Sequence, residues 1–97
     1  MRLFVDDKRD FPKHGYECCR DADTAIMLLS VMKFEYISLD YDLGGDKSGL
    51  DILIRMKEKN ISVPEINIHS DHVTGRELMY RFCKENFPES TITMRIF

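Results

Sequence analysis

Residues 1–7 read Met-Arg-Leu-Phe-Val-Asp-Asp, a short apolar run that ends in two adjacent aspartates. A second run of the same kind, Tyr-Ile-Ser-Leu-Asp-Tyr-Asp, occupies positions 36–42. Short apolar runs of this length are typical of buried strands. If the two are neighbouring parallel strands, acidic side chains gather at one edge of the sheet: Asp6, Asp7, Asp40 and Asp42. Carboxylates packed so closely repel one another, so the sequence predicts a divalent-cation site or raised pKa values.

The composition is that of a single globular domain spanning residues 1–97, with 43% hydrophobic and 32% charged residues. No stretch approaches the ~20 apolar residues of a membrane span, and no basic-then-apolar leader precedes the first run. The three cysteines show no disulfide pattern, so we expect reduced thiols and a cytoplasmic protein. The net charge of −3 predicts no general nucleic-acid-binding surface.

Strand and helix patterns alternate along the chain. Five segments are predicted strands: Arg2–Val5, Tyr16–Arg20, Tyr36–Leu39, Glu65–His69 and Thr91–Phe97. Three segments are predicted helices: one that is N-capped by Asp21 or Asp23 and runs through Met32, one from Leu50 to about Asn60, and one from Thr74 to about Asn86. Thr74 and Glu77 have the spacing of a capping box at the start of the last helix. This alternation predicts an α/β fold with a parallel sheet.

The predicted strands alternate between apolar and polar residues, as where Ile66 and Ile68 lie opposite Asn67 and His69. Parallel strands that are covered on both faces normally form continuous apolar runs instead. Three helices joined by right-handed crossovers lie on one side of a sheet. We therefore expect the other face to be mostly uncovered, or covered by a second copy of the chain or by a protein partner.

The acidic segments converge with a histidine-containing loop at the predicted sheet edge. Carboxylate oxygens suit Mg²⁺ or Mn²⁺, which makes Asp6, Asp7, Asp40 and Asp42 the candidate metal ligands. Asp42 has an equally good reading as a residue that only shapes its loop. The Gly44-Gly45 pair lacks the features of a phosphate-binding loop and indicates a turn.

Polar residues after the fourth predicted strand add candidate phosphate ligands and catalytic groups. Ser70 offers a hydroxyl, Thr74 opens a helix whose free amides favour anions, and the Arg76 guanidinium binds anions bidentately. Lys8 and Arg9 are further basic residues suited to a single phosphate. Imidazoles titrate near neutral pH, so candidate acid–base groups follow the same strand: His69 and His72. Either histidine is also consistent with an ordinary solvated side chain.

The arrangement resembles the receiver domain of two-component signalling. On that match, Asp6 and Asp7 fall on the metal-binding acidic pair, Asp40 on the phospho-accepting aspartate, and Ser70 on the hydroxyl residue after strand four. The resemblance implies a flavodoxin-like five-stranded sheet in the order 2-1-3-4-5. Here the helices after strands one and five are missing, and the segment 91–97 lacks the lysine that receivers carry after strand five.

Three segments resemble more closely the short group called cyclic-phosphate processing receiver domains. They are Leu-Phe-Val-Asp-Asp at 3–7, Ile-Ser-Leu-Asp-Tyr-Asp-Leu-Gly at 37–44, and Ile-His-Ser-Asp-His-Val-Thr-Gly-Arg at 68–76. That resemblance implies a receiver fold that handles a phosphate ester, with a cyclic phosphate as one substrate class. His69, His72 and Arg76 are groups that an ordinary receiver does not need.

Three functions remain open from the sequence. The first is a metal-dependent phosphoesterase acting on a phosphate-containing small molecule or a nucleotide or RNA end, with Asp40, His69 and His72 as catalytic residues. The second is a signalling receiver that is phosphorylated on Asp40. The third is a non-catalytic module that binds a protein partner, or a second copy, through the uncovered sheet face.

Overall fold

A computed structural model describes residues 1–12 and 14–96. The strands are β1 (Arg2–Val5), β2 (Glu17–Cys19), β3 (Tyr36–Leu39), β4 (Glu65–Ile68) and β5 (Thr91–Thr93). The helices are α1 (Ala22–Val31), α2 (Gly49–Glu58) and α3 (Val73–Asn86). All five strands run parallel in the order β2-β1-β3-β4-β5. The predicted receiver-like α/β fold is confirmed, and it has three helices in the described residues.

The last strand is shorter than predicted. β5 ends at Thr93, and the backbone of Arg95 lies beyond its ladder with β4. Its N–H and C=O instead hydrogen bond to the side-chain amide of Asn67, at 2.8 and 2.9 Å. Phe97, the predicted end of the strand, lies outside the described residues.

The first two helices begin with side chains that accept exposed backbone N–H groups. Asp21 caps α1, since its carboxylate accepts the Thr24 N–H at 2.8 Å, which decides between the two predicted caps. At the start of α2, the Asp51 carboxylate accepts the Ser48 N–H at 2.7 Å.

The predicted cap of α3 is wrong. His72, two residues before Thr74, caps the helix by accepting the Gly75 N–H on Nδ1 at 2.9 Å. Histidine is not among the usual N-cap residues, whereas Thr74 and Glu77 have the usual spacing, so the local pattern indicated the wrong residue. α3 is the longest helix, and none in residues 1–12 and 14–96 has both the length and the apolar character to cross a membrane.

The main core lies between the sheet and the three helices. Six strand residues face it and are completely buried: Leu3, Val5, Ile37, Leu39, Ile66 and Ile68. They pack against buried residues of all three helices: Ala25, Leu29, Ile52, Leu53, Met56, Met79 and Cys83. Burial of each large aliphatic side chain contributes about 1.5–3 kcal/mol. The core therefore holds the carboxyl ends of β1, β3 and β4 rigidly beside one another.

The opposite face carries no helix within the described residues, yet its centre is closed to solvent. Phe4, Ser38, Asn67 and His69 all lie on it with 0% exposure. The segment between β1 and β2 crosses this face, and the rings of Phe11 and Tyr16 each pack edge-on against Phe4 with centroids 6.1 Å apart. The residues after β5 cover Asn67. The expectation of a mostly uncovered face therefore needs correction: non-helical segments of the chain itself replace the missing helices at its centre.

Candidate metal and phosphate site

The register of the sheet aligns the residues that follow three strands. Val5 of β1 pairs with Leu39 of β3, and Leu39 pairs with Ile68 of β4. The next residues in each segment are Asp6, Asp40 and His69, whose potential metal-ligating atoms all lie within 4.8 Å of one another. The sequence-based expectation that the two acidic runs meet at one edge therefore agrees with the structure.

An open cleft of about 480 Å³ lies at this edge, with nine residues lining it: Asp6, Asp7, Lys8, Arg9, Asp40, Asp42, Ser70, Asp71 and His72. A larger hollow at the opposite end of the sheet has mainly apolar walls, including Leu29, Phe34 and Val63. Chemistry needs convergent titratable groups, so the smaller acidic cleft is the candidate site.

Asp6 is a buried carboxylate, and both of its oxygens have polar contacts. Its Oδ1 accepts the N–H groups of Lys8 and Arg9, each at 2.9 Å. Its Oδ2 lies 3.0 Å from His69 Nε2 and 3.3 Å from Arg9 Nε. Burial alone would raise the pKa of Asp6, but these hydrogen bonds outweigh it and hold the pKa below the usual 3.8. Asp6 is therefore a fixed negative charge in the wall of the cleft.

Asp40 lies in an unfavourable electrostatic setting. Burial and then the neighbouring charges of Asp6 and Asp7 raise its pKa above 3.8, against the opposing hydrogen bonds from the Ser70 hydroxyl and the Tyr41 N–H. A half-buried carboxylate that is repelled by two others is the setting that a bound cation relieves.

Asp7 and Asp42 line the same cleft but do not join the tight cluster found in the described residues. Asp42 is exposed, and its Oδ1 accepts the Gly44 N–H at 3.0 Å, which shapes the loop after β3. Asp7 points to the same loop: a Cβ on Gly44 would come within 2.8 Å of its Oδ2. Gly44 has a φ of +76°, so glycine suits both the turn and this close approach.

His69 is buried on the second sheet face and is not among the residues that line the cleft. Its ring stacks on Phe4 with centroids 4.6 Å apart, Nδ1 lies 2.6 Å from Ser38 Oγ, and Nε2 contacts Asp6. Burial lowers the pKa of His69 below 6.5, although Asp6 opposes the shift. A neutral ring that donates Nε2–H to Asp6 orients that carboxylate and does not reach a substrate in the cleft.

Ser70 and His72 do lie at the cleft. The Ser70 hydroxyl hydrogen bonds to Asp40 and accepts the His72 N–H at 3.1 Å. His72 Nδ1 accepts the Gly75 N–H, so the ring carries its proton on Nε2 while it caps α3. The ring packs against Tyr41 with centroids 4.8 Å apart. His72 therefore offers a hydrogen-bond donor at the rim of the cleft.

The family model for the cyclic-phosphate processing receiver domain matches residues 1–85. The chain belongs to this family. The match includes all of the cleft-lining residues and ends before β5. No curated protein gives a significant match.

Thr74 and Arg76 are not among the residues that line the cleft of this receiver domain in its described part. Thr74 is exposed in the first turn of α3, and the Arg76 guanidinium lies 3.5 Å from the carbonyl oxygen of Ser70. The cations at the cleft are instead Lys8 and Arg9. Two basic residues directly after the acidic pair were the sequence signal for them.

Arg9 is the more constrained of these cations. Its guanidinium bridges Asp6 and Asp71, the latter at 2.9 Å, although the two aspartates are far apart in sequence. The Arg20 side chain fixes the turn by donating to the carbonyl oxygens of Asp6 and Arg9, at 3.3 and 2.9 Å.

The buried His69 predicts a loss of stability in weak acid. Its folded pKa is below the unfolded value of 6.5, so the unfolded chain binds the proton first as the pH falls. This stability is present above pH 6.5 and is lost as the pH falls through the folded pKa, with a slope of at most about 1.4 kcal/mol per pH unit. Urea unfolding between pH 7.5 and 5 measures it. His69→Gln should flatten the slope and the exposed-site control His14→Gln should not; equal slopes for wild type and His69→Gln contradict the prediction.

Proposed function

We propose that this receiver domain is a metal-dependent phosphoesterase, with cyclic phosphates as the substrate class. The proposal rests on the setting of Asp40. Burial and two acidic neighbours raise the pKa of its carboxylate, and the same cleft contains two basic side chains. The family to which the chain belongs is named for cyclic-phosphate processing, which supports the same reaction class.

The donor atoms fit a hard divalent cation such as Mg²⁺ or Mn²⁺. Asp6 and Asp40 are the candidate ligands with oxygens in mutual reach, and Asp7 and Asp42 lie beside them in the cleft. His69 lies within ligating distance too, but its ring already pairs with Ser38 and Asp6 and is better suited to orienting a ligand. A divalent cation held by these carboxylates would supply charge compensation and would polarise a phosphoryl oxygen.

The phosphate contacts come from groups around the acidic centre. The Arg9 guanidinium would exchange its pairing with the exposed Asp71 for a phosphoryl oxygen, and Lys8 adds a point charge. The Nε2–H of His72 is a further donor at the cleft, and Ser70, whose hydroxyl hydrogen bonds to Asp40, lies beside it. The amino end of the α3 helix also faces this region through His72 and favours an anion.

The reaction that these groups fit is hydrolysis of a strained phosphodiester. Water attacks phosphorus, one ring P–O bond breaks, and the product is a phosphate monoester with a free hydroxyl. Asp40 is placed to accept the proton of the attacking water through its carboxylate oxygen that does not hold the cation. The departing oxygen takes a proton from solvent while His72 hydrogen bonds to it. Arg9 stabilises the negative charge that develops on the phosphoryl oxygens.

Hydrolysis assays test the proposal directly. We expect 2′,3′-cyclic nucleotides, or another cyclic phosphodiester from a panel that includes cyclic dinucleotides, to give monoesters with Mg²⁺ or Mn²⁺. Phosphorus NMR identifies the product, and EDTA should abolish turnover. A full panel without metal-dependent product rules the proposal out.

Arg9→Gln is expected to reduce kcat/KM about 10- to 100-fold, because a charge-assisted pair with an anion is worth about 1.5–3 kcal/mol. Steady-state kinetics on the best substrate of the panel measure the effect. The control is Arg55→Gln, which removes an exposed guanidinium paired with Glu58 on α2. Equal kcat/KM for the Arg9 variant and wild type would remove Arg9 from the phosphate site.

A second candidate is a receiver that is phosphorylated on Asp40, favoured by the Ser70 hydroxyl within hydrogen-bond reach of that carboxylate. Acetyl phosphate or a beryllofluoride complex should then modify or occupy Asp40 and shift its NMR signals. Pairing through the sheet face has less support, because the chain covers the centre of that face itself.

A further inference from the structure

The second sheet face contains an unbroken chain of side-chain hydrogen bonds that begins at Asn67. Its Oδ1 accepts the Thr93 hydroxyl at 2.7 Å and the Arg95 N–H at 2.8 Å. Its Nδ2 donates to the Arg95 carbonyl oxygen at 2.9 Å and to Ser38 Oγ at 3.0 Å. All four hydrogen bonds available to the amide are made, so its orientation is determined.

The donor and acceptor of each remaining hydrogen bond follow from Asn67 at one end of the hydrogen-bond chain and Asp6 at the other. Asn67 donates to Ser38, which leaves the Ser38 hydroxyl proton for His69 Nδ1 at 2.6 Å. At the other end, ionised Asp6 only accepts, so His69 carries its proton on Nε2 and donates it across 3.0 Å. Each bond then has one donor and one acceptor. No buried side-chain nitrogen or oxygen in the described residues lacks a partner.

We propose that Ser38 and Asn67 are positioning residues for Asp6. Acting through the ring of His69, they hold Asp6 Oδ2 at the wall of the cleft. Because the same Asn67 amide binds both polar backbone groups of Arg95, the segment after β5 is coupled to the cleft. The effect on cation binding rests on the proposed function, whereas the hydrogen-bond chain does not.

If the network only stabilised the fold, any His69 replacement that folds would leave metal affinity unchanged. If the network positions Asp6, metal affinity depends on a hydrogen-bond donor at the place of His69 Nε2. His69→Gln extends an amide toward the position of Nε2 and keeps a donor for Asp6. His69→Asn places its amide near Nδ1 and loses Asp6. Groups that orient metal ligands typically change metal affinity 10- to 100-fold when lost.

The first experiment tests the chain of hydrogen bonds from Asn67 to Asp6 in metal-free protein. We expect ¹⁵N NMR to show His69 protonated on Nε2 and not on Nδ1. Hydrogen exchange should show that Ser38→Ala accelerates exchange of the Arg95 amide. The control is Ser90→Ala, which loses a single bond to the Val63 carbonyl away from the cleft. Protonation on Nδ1, or equal Arg95 exchange in the two serine variants, overturns the proposal.

The second experiment measures Mn²⁺ affinity by calorimetry. We expect the dissociation constant to rise at least about tenfold in His69→Asn and several-fold in Ser38→Ala. It should stay within about threefold of wild type in His69→Gln and Ser90→Ala. Equal affinities for the two His69 variants overturn the positioning role. If wild type binds no Mn²⁺, the proposed function fails. The NMR and hydrogen-exchange measurements on metal-free protein then test the hydrogen-bond chain by themselves.

Discussion

Asp40→Asn is expected to lose about 10²- to 10⁴-fold in metal-dependent hydrolysis, and yet to be more stable than wild type without metal. The loss is the usual effect of removing a positioned base. The gain follows from the raised pKa of Asp40. A raised folded pKa means that the folded state prefers the neutral form of Asp40. The stability that this preference contributes is present below pH 3.8 and is lost as the pH rises through the folded pKa. At pH 7 wild type carries a repelled charge that the amide removes.

Thermal unfolding with and without Mg²⁺, combined with kinetics, measures both effects. Wild type should gain stability as Mg²⁺ is added, since a ligand of the folded state stabilises it by mass action. Asp40→Asn should gain much less. Asp46→Asn, at an exposed loop aspartate outside the cleft, is the matched control. An Asp40→Asn protein with normal turnover, or with lower metal-free stability than wild type, contradicts the account of this site.

Gly49→Ala is expected to destabilise the fold by about 2–3 kcal/mol, because the site has no room for a methyl group. Gly49 begins α2, and its N–H donates to the Tyr41 carbonyl oxygen at 2.8 Å. A Cβ there would overlap the backbone carbonyl of Asp40 and come within 2.8 Å of Met79 Cε. Backbone cannot yield as a flexible side chain does, so α2 and the end of β3 must separate. The midpoint of thermal unfolding should fall by roughly 10 °C or more.

Urea unfolding and Mn²⁺ titration of the Gly49 variant test both the packing and its link to the site. We expect weaker Mn²⁺ binding as well, because the displaced backbone carries Asp40. Gly45→Ala serves as the control, since a Cβ at Gly45 meets nothing within 4 Å and should change stability by less than about 0.5 kcal/mol. If the two alanine variants are equally stable, the close approach of α2 to Asp40 is not a constraint on this fold.

The short-range features of this protein were readable from the chain. β1, β3 and most of β4 have the predicted bounds, and the Asp21 cap of α1 lies at one of two expected positions. These features depend on alternation of apolar residues, helical spacing and capping within a few residues of one another. The local pattern did not predict the His72 cap, because histidine is not a usual N-cap residue. The loop after β4 places His72 Nδ1 where it accepts the Gly75 N–H.

The meeting of Asp6 with Asp40 was also predictable, because parallel strands place their carboxyl ends at one edge of the sheet. The roles of His69 and Arg76 were not, and the sequence named Arg9 only as one of several basic residues suited to a phosphate. Alternation assigned His69 to a polar face that was expected to be mostly uncovered, but the centre of that face is buried and His69 Nε2 contacts Asp6. Arg9, not Arg76, lines the cleft because the turn after β1 directs it there.

The amino-acid sequence by itself therefore determined the class of fold, the acidic residues at the sheet edge and the family. Each of these follows from patterns within short segments of the sequence. Only the tertiary structure decided which polar atoms pair. The bonds from Asn67 to Arg95, and from His69 to Asp6, join residues 28 and 63 positions apart. Such pairings arise when strand register and burial leave a polar group a single available partner, and no local pattern encodes that choice.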